Sequence, residues 1–249
     1  MHITLELHGA RGQRYLKAPR ANLHLFQSLL YKILPPERAA FLHEEGYPVD
    51  GRRMKLFALS WPIATEPPTF QAEDILFPLP VKLVVSTPVT ATLDGLAAGA
   101  LGAEELRVGN SVLRCGRVEA MQQTVEGTVL TVRTLSPITC YDQAERFGEP
   151  YTIYFSPQQK DFSVSIVNNL ARKFRALHPG EPLPEGDVTI TPIGSPKERV
   201  AMFSPSVSFP IKGWSGRFRL TGPRELLQIA LDCGLGAKNS SGWGCVEKV

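Results

Sequence analysis

The stretch GLGAKNSSGWG, from Gly234 to Gly244, limits what this chain can fold into more than any other. Glycine lacks a Cβ, so it takes positive φ readily and lets another backbone come close. A glycine pair on either side of a short polar loop therefore demands a sharp reversal with tight contacts. Successive backbone N–H groups in such loops form concavities that hold anions. With Lys238 inside it, the loop is a candidate phosphate cradle, and Gly234, Gly236, Lys238, Asn239, Gly242 and Gly244 are its candidate contact residues. The alternative is a helix–strand turn with Gly234 as the C-cap.

The flanking segments exclude the common nucleotide loops. Before Gly234, PRELLQIALDC places Leu226, Leu227, Ala230 and Leu231 on one stripe, the pattern of a helix over 224–233 with Pro223 at its first turn. A dinucleotide fingerprint needs a strand there and a helix afterwards, but only CVEKV follows Gly244. A Walker A loop needs Ser or Thr after its Lys, and Asn239 follows Lys238.

The rest of the chain alternates strands and helices. Residues 2–7 alternate as a half-buried strand does. Arg11, Arg14, Lys17 and Arg20 fall in a basic loop, where some of them are candidates to contact a nucleic-acid backbone. Asn22 is placed to cap a helix carrying Phe26, Leu29, Leu30 and Ile33, which Pro35 and Pro36 end. A short helix over 37–44, a strand over 54–60 and a Pro-rich loop follow. Then come a strand over 81–86, a helix over 89–101 and a hairpin over 106–118 that turns at Gly109-Asn110. This is the β-α-β-β-α-β order of a ferredoxin-like unit.

The second half reads in the same way. A strand over 128–135 leads to a helix over 161–177 with Phe162, Ile166, Leu170, Phe174 and Leu177 in register. Strands are expected at 188–191, 200–209 and 214–220, then the 224–233 helix, the glycine loop and a last strand. The expected class is α+β, with units at 1–124 and 125–249. The aromatic signature of sheet-stacking RNA-recognition domains is absent.

The 249 residues, 43% hydrophobic and 20% charged, suffice for one large or two small cores and exclude a disordered polymer. Net charge is +3, split as +4 over 1–60, −4 over 61–131 and +3 over 132–249. If the two ends meet, they form a basic face; the alternative is ordinary solvated surface. Lys212, Arg217 and Arg219 flank Trp214 on an expected hairpin, where basic and aromatic groups grip a nucleic-acid backbone and stack a base. Cys115, Cys140, Cys233 and Cys245 make no CxxC pair and the five histidines are scattered, so no metal site is expected. Free thiols, an N-terminus without an apolar core and no run long enough to span a membrane give a cytoplasmic expectation.

The glycine spacing resembles the C-terminal signature of the RAMP superfamily: Gly-hydrophobic-Gly, five residues with a basic one among them, then Gly-hydrophobic-Gly. LLYKIL, FLHEEG, MKLFALS and TLSPIT resemble segments of the sixth CRISPR-associated protein family, the CRISPR repeat-RNA-processing endoribonucleases. The resemblance implies two tandem ferredoxin-like domains, RNA as partner, no cofactor and a catalytic Tyr, His and Lys. These fall on Tyr31, His43 and Lys55, with Arg52 or Arg53 as alternatives to the lysine. His43 would be general acid or base, since a His at a helix C-terminus gains from the dipole when protonated. Tyr31 would activate or orient the 2′-OH, and Lys55 would stabilise the phosphorane. The implied reaction is metal-independent cleavage of CRISPR repeat RNA to guide RNAs, leaving a 2′,3′-cyclic phosphate and a 5′-OH. The resemblance also allows a non-cleaving RAMP subunit that binds guide RNA among other CRISPR-associated effector proteins.

Overall fold

A computed structural model describes residues 1–249 except Phe147 and Ser208, with Arg146 by backbone alone. The first half supplies β1 (His2–Gly9), α1 (Leu23–Ile33), β2 (Ala58–Leu59), β3 (Val81–Ser86), α2 (Thr90–Gly102) and β4 (Ser111–Met121). The sheet order is β4-β1-β3-β2, with Leu106–Val108 added outside β4. Leu5 of β1 lies opposite Leu83 of β3 and Val118 of β4, all antiparallel. Ile3, Leu5 and Leu7 turn to one face because side chains alternate along a strand. There they meet Phe26, Leu29 and Leu30 of α1 and Leu93, Leu96 and Ala100 of α2. The helices cross at Gly99, where a Cβ would stand 1.7 Å from the Ile33 carbonyl oxygen, so only glycine permits that approach.

The second half repeats the plan with β5 (Val129–Thr134), α3 (Lys160–Leu177), β6 (Thr189–Ala201), β7 (Ile211–Thr221), α4 (Arg224–Cys233) and β8 (Val246–Lys248). Its order, β8-β5-β7-β6, is the same ferredoxin-like order as in the first sheet. Phe162, Ile166, Leu170 and Phe174 of α3 and Leu227, Ala230 and Leu231 of α4 cover Leu130, Val132, Phe218 and Leu220.

Several elements differ from the sequence reading. The strand expected at 54–60 is split. Arg52–Met54 pairs with Tyr47–Val49, the chain then turns at Leu56 (φ 51°), and β2 begins at Ala58. The strands expected at 188–191 and 200–209 are one long β6 that ends at Ala201, before the Ser204-Pro205 turn; Ser208 of the second lies outside the described residues. The basic loop is a turn at Ala10–Gly12 followed by a strand, Tyr15–Pro19, paired with Asp74–Pro78. A hairpin, Tyr141–Arg146 with Glu149–Tyr154, is too polar to have shown in hydrophobic alternation. Asn22 makes no cap; its amide donates to the Pro19 carbonyl instead.

The halves meet along a polar and aromatic seam. His2 of β1 donates from Nε2 to the Val246 carbonyl at 2.9 Å, and its burial lowers its pKa. Trp61 Nε1 donates to the Gly242 carbonyl at 2.7 Å, and its ring lies edge-on to Trp243 at 5.7 Å. Among the described residues no helix is long and apolar enough to cross a membrane.

Candidate active site and RNA interface

Tyr31 sits in the last part of α1, which stops at Ile33 because Leu34 turns extended ahead of Pro35 and Pro36. A short helix, Pro36–Ala40, leads into a wide turn over Phe41–Glu45. That turn closes with Gly46 N–H donating to the Phe41 carbonyl at 2.7 Å, a five-residue span that swings His43 out to solvent. The His43 ring stands edge-on to Tyr31 with centroids 5.7 Å apart. Lys55 arrives from the other side, just after the Tyr47–Met54 hairpin. Its Nζ donates to Tyr31 Oη at 3.0 Å and to the His43 carbonyl at 3.4 Å. The three side chains named from the sequence therefore converge, with Tyr31 at the centre.

Burial sets the electrostatics. It pushes the Tyr31 hydroxyl up to about 12, so the phenol keeps its proton through the physiological range. Lys55 shifts down for the same reason, because half-burial disfavours the charged amine. With Lys55 donating to Tyr31 Oη, the phenolic O–H is free to point at a ligand. Arg52 is exposed on the hairpin, and Arg53 donates to the Glu44 carbonyl, so of the three basic candidates Lys55 is the one in contact with Tyr31. Sequence reasoning missed Arg38. Its guanidinium donates to Thr92 Oγ1 at 3.0 Å and to Tyr47 Oη at 2.8 Å, and lies over Phe41 at 5.2 Å. It braces the segment that carries His43; an arginine on a five-residue helix gives no signal of that in sequence.

The glycine loop is built mainly as a joint. Gly234, Gly236, Gly242 and Gly244 are buried with φ between 68° and 89°. A Cβ at Gly244 would lie 1.9 Å from the Leu235 carbonyl oxygen. The Leu235 N–H bonds to Gly244, Ala237 to Thr139 and Gly244 to Pro137, so these amides are committed within the fold. Asn239, expected to contact RNA, is buried, and its amide donates to the Leu235 and Trp243 carbonyls, both at 3.0 Å. That expectation gives way to an internal tie. Buried Lys173 donates to the Gly234 carbonyl at 2.7 Å, and burial pushes its pKa down to about 8. Lys238 alone of the loop's candidates is exposed. It takes the left-handed conformation, with its Nζ 5.3 Å from the Tyr141 ring centroid.

The other basic candidates scatter. Arg11 pairs with Glu105 at 2.7 Å, Lys17 with Asp74 at 3.0 Å, and Arg20 donates to the Gln71 carbonyl at 3.0 Å. Arg14 lines an open cleft of about 360 Å³ with His8, Tyr15 and Arg114. Arg217 and Arg219 are exposed on β7, and Arg217 lies directly opposite Arg133 of β5. Lys212 approaches Glu198 at 3.7 Å. Trp214, expected to stack a base, is buried against Phe162, because its side of β7 faces α3. Among the described residues no three His, Cys, Asp or Glu side chains are grouped to hold a metal ion, and all four cysteines are free.

Residues 120–248 match the family model described as CRISPR associated protein Cas6, C-terminal. The chain belongs to the Cas6 family. It is 26% identical over 259 residues to the CRISPR-associated endoribonuclease Cas6 of Pyrococcus furiosus, covering 99% of this chain and 89% of that one. Its fold is similar to that of a Cas6-related protein from Pyrococcus furiosus, with a TM-score of 0.84 at 19% identity over 100% and 98% of the two chains. It is also similar to a RAMP protein described as binding different RNA substrates, with a TM-score of 0.81 at 19% identity over 100% and 99%. In this Cas6-family chain the matched region holds the second sheet and the glycine loop, whereas Tyr31, His43 and Lys55 all lie before it.

Proposed function

We propose that this chain is an endoribonuclease that cleaves CRISPR repeat RNA to release guide RNAs, using the RNA's own 2′-OH and no metal ion. The observation that carries the reading is the convergence of Tyr31, His43 and Lys55 at one exposed corner. Support comes from the relative named an endoribonuclease, which aligns along nearly the whole chain.

RNA cleavage of this type forms an O2′–P bond and breaks the P–O5′ bond. The 2′-OH loses a proton and the departing O5′ gains one. Exposed His43 serves one of these two transfers. Tyr31, protonated at neutral pH, orients the 2′-OH through its hydroxyl. Lys55 holds Tyr31 Oη and presents positive charge to the phosphorane. Lys238 and the exposed Arg217 and Arg219 supply phosphate contacts away from the cut.

The test is to incubate the purified chain with host repeat RNA, with and without EDTA, and to map the ends. Cleavage in EDTA with a 2′,3′-cyclic phosphate and a 5′-OH is expected, and 2′-deoxy substitution just upstream of the cut abolishes it. A strict requirement for divalent metal in the chemical step refutes the mechanism. Tight binding of intact RNA without cleavage points instead to a non-cleaving RNA-binding subunit.

A further inference from the structure

Lys55, Leu56 and Phe57 are consecutive, yet each goes to a different place. Lys55 reaches Tyr31. Phe57, 3% exposed, enters the first half's core, with its ring 6.4 Å from that of Tyr31. Leu56, also 3% exposed, is buried in the second half's core, in the cluster of Leu130, Ile138, Phe162 and Leu231. A plain strand would alternate these side chains across a single sheet. Leu56 instead takes φ 51°, the left-handed region that residues with a Cβ seldom adopt. Such strain persists only where the surroundings over-determine it. Here they do so from two sides: the other half's core encloses the side chain, and buried Thr87 donates from Oγ1 to the Leu56 carbonyl at 2.8 Å. The hairpin just upstream is seated on that half as well. Tyr47, Val49 and Met54 pack against its core, and Asp50 pairs with Arg175 of α3 at 3.1 Å.

We propose that Leu56 is a positioning residue: seated left-handed in the second half's core, it aims Lys55 at Tyr31, so that the catalytic corner is complete only when the two halves are docked. The kinetic part of the test rests on the endoribonuclease reading; the labelling part does not. Leu56→Gly keeps the left-handed backbone accessible and removes the anchor, whereas Leu56→Met keeps an apolar anchor of similar volume. Single-turnover cleavage at saturating protein is expected to fall about 10-fold or more in Leu56→Gly, within the range that small misplacements cost. RNA affinity stays unchanged and Leu56→Met cleaves like wild type. In a Lys55→Ala background Leu56→Gly has no further effect, because the two residues act as one unit. If Leu56→Gly fails to fold, Thr87→Val, which releases the Leu56 carbonyl, is expected to give the same pattern. In limited amine labelling read by mass spectrometry, Lys55 reacts faster relative to Lys212 in Leu56→Gly than in wild type. Wild-type cleavage by Leu56→Gly, an equal slowing with or without Lys55, or unchanged labelling overturns the proposal. A wild-type chain that does not cleave refutes the endoribonuclease reading instead and leaves labelling to decide this one.

Discussion

Replacing Asn239 with leucine separates the glycine loop's place in the fold from the phosphate contact proposed for Lys238. The side chains are close in shape, so the change removes hydrogen bonds with little repacking. Asn239 Nδ2 serves two buried carbonyls, Leu235 and Trp243, each at 3.0 Å. Stranding a buried carbonyl costs about 1–3 kcal/mol, so losing both costs about 2–6 kcal/mol. With an unfolding entropy of about 2.1 cal/mol/K per residue, a chain of 249 residues loses about 2 °C of Tm per kcal/mol. Asn239→Leu should therefore melt about 4–12 °C lower in calorimetry without RNA. Lys238→Ala, one residue away and exposed, should melt as wild type does. Its effect should appear in filter binding, as weaker affinity and a salt slope flatter by about 0.7 in log K per log salt for one lost single-stranded phosphate contact. Wild-type melting of Asn239→Leu would show that these bonds do not hold the loop. An unchanged affinity and slope for Lys238→Ala would remove that residue from the RNA interface.

His43→Ala should slow single-turnover cleavage about 100-fold or more with RNA affinity unchanged, and wild-type cleavage would move the active site elsewhere. Tyr31→Phe should slow it about 10-fold, the scale of one hydrogen bond to a charged group. Burial lowers the Lys55 pKa, and its charge is present below that pKa and lost as pH rises through it. The alkaline limb of the single-turnover pH profile should thus fall below the usual lysine value, and a limb at or above that value would refute Lys55's role as a cation. Folded Lys173 sheds its proton at about 8, whereas the unfolded lysine does so at about 10.4. Between those values the unfolded state holds more protons, so wild type should gain stability over Lys173→Met as pH rises, by up to about 3 kcal/mol. A flat difference in denaturant titrations across that window would refute the burial of a lysine charge.

Elements whose apolar periodicity is complete and local can be read from the amino-acid order alone. The helices over 23–33, 160–177 and 224–233 and the strand over 81–86 follow from stripes that are legible without a partner. That order also holds the glycine reversal and, through motif likeness, the residue types that meet at Tyr31, His43 and Lys55. The remaining features depend on segments far apart in the chain. Whether Lys55 or a neighbouring arginine meets Tyr31 depends on a left-handed Leu56 whose cause is a core built from residues beyond 120. Asn239 and Trp214 look like surface ligands in sequence. They are inside because the carbonyls and rings they serve arrive from distant segments, Trp214 meeting Phe162 of α3. The polar hairpin at 141–154 has little apolar pattern to announce it, since cross-strand pairing is a property of two segments together. Local periodicity records which face of an element seeks a core, but the position of one side chain against another depends on contacts between residues far apart in the chain, and only the folded molecule brings those together.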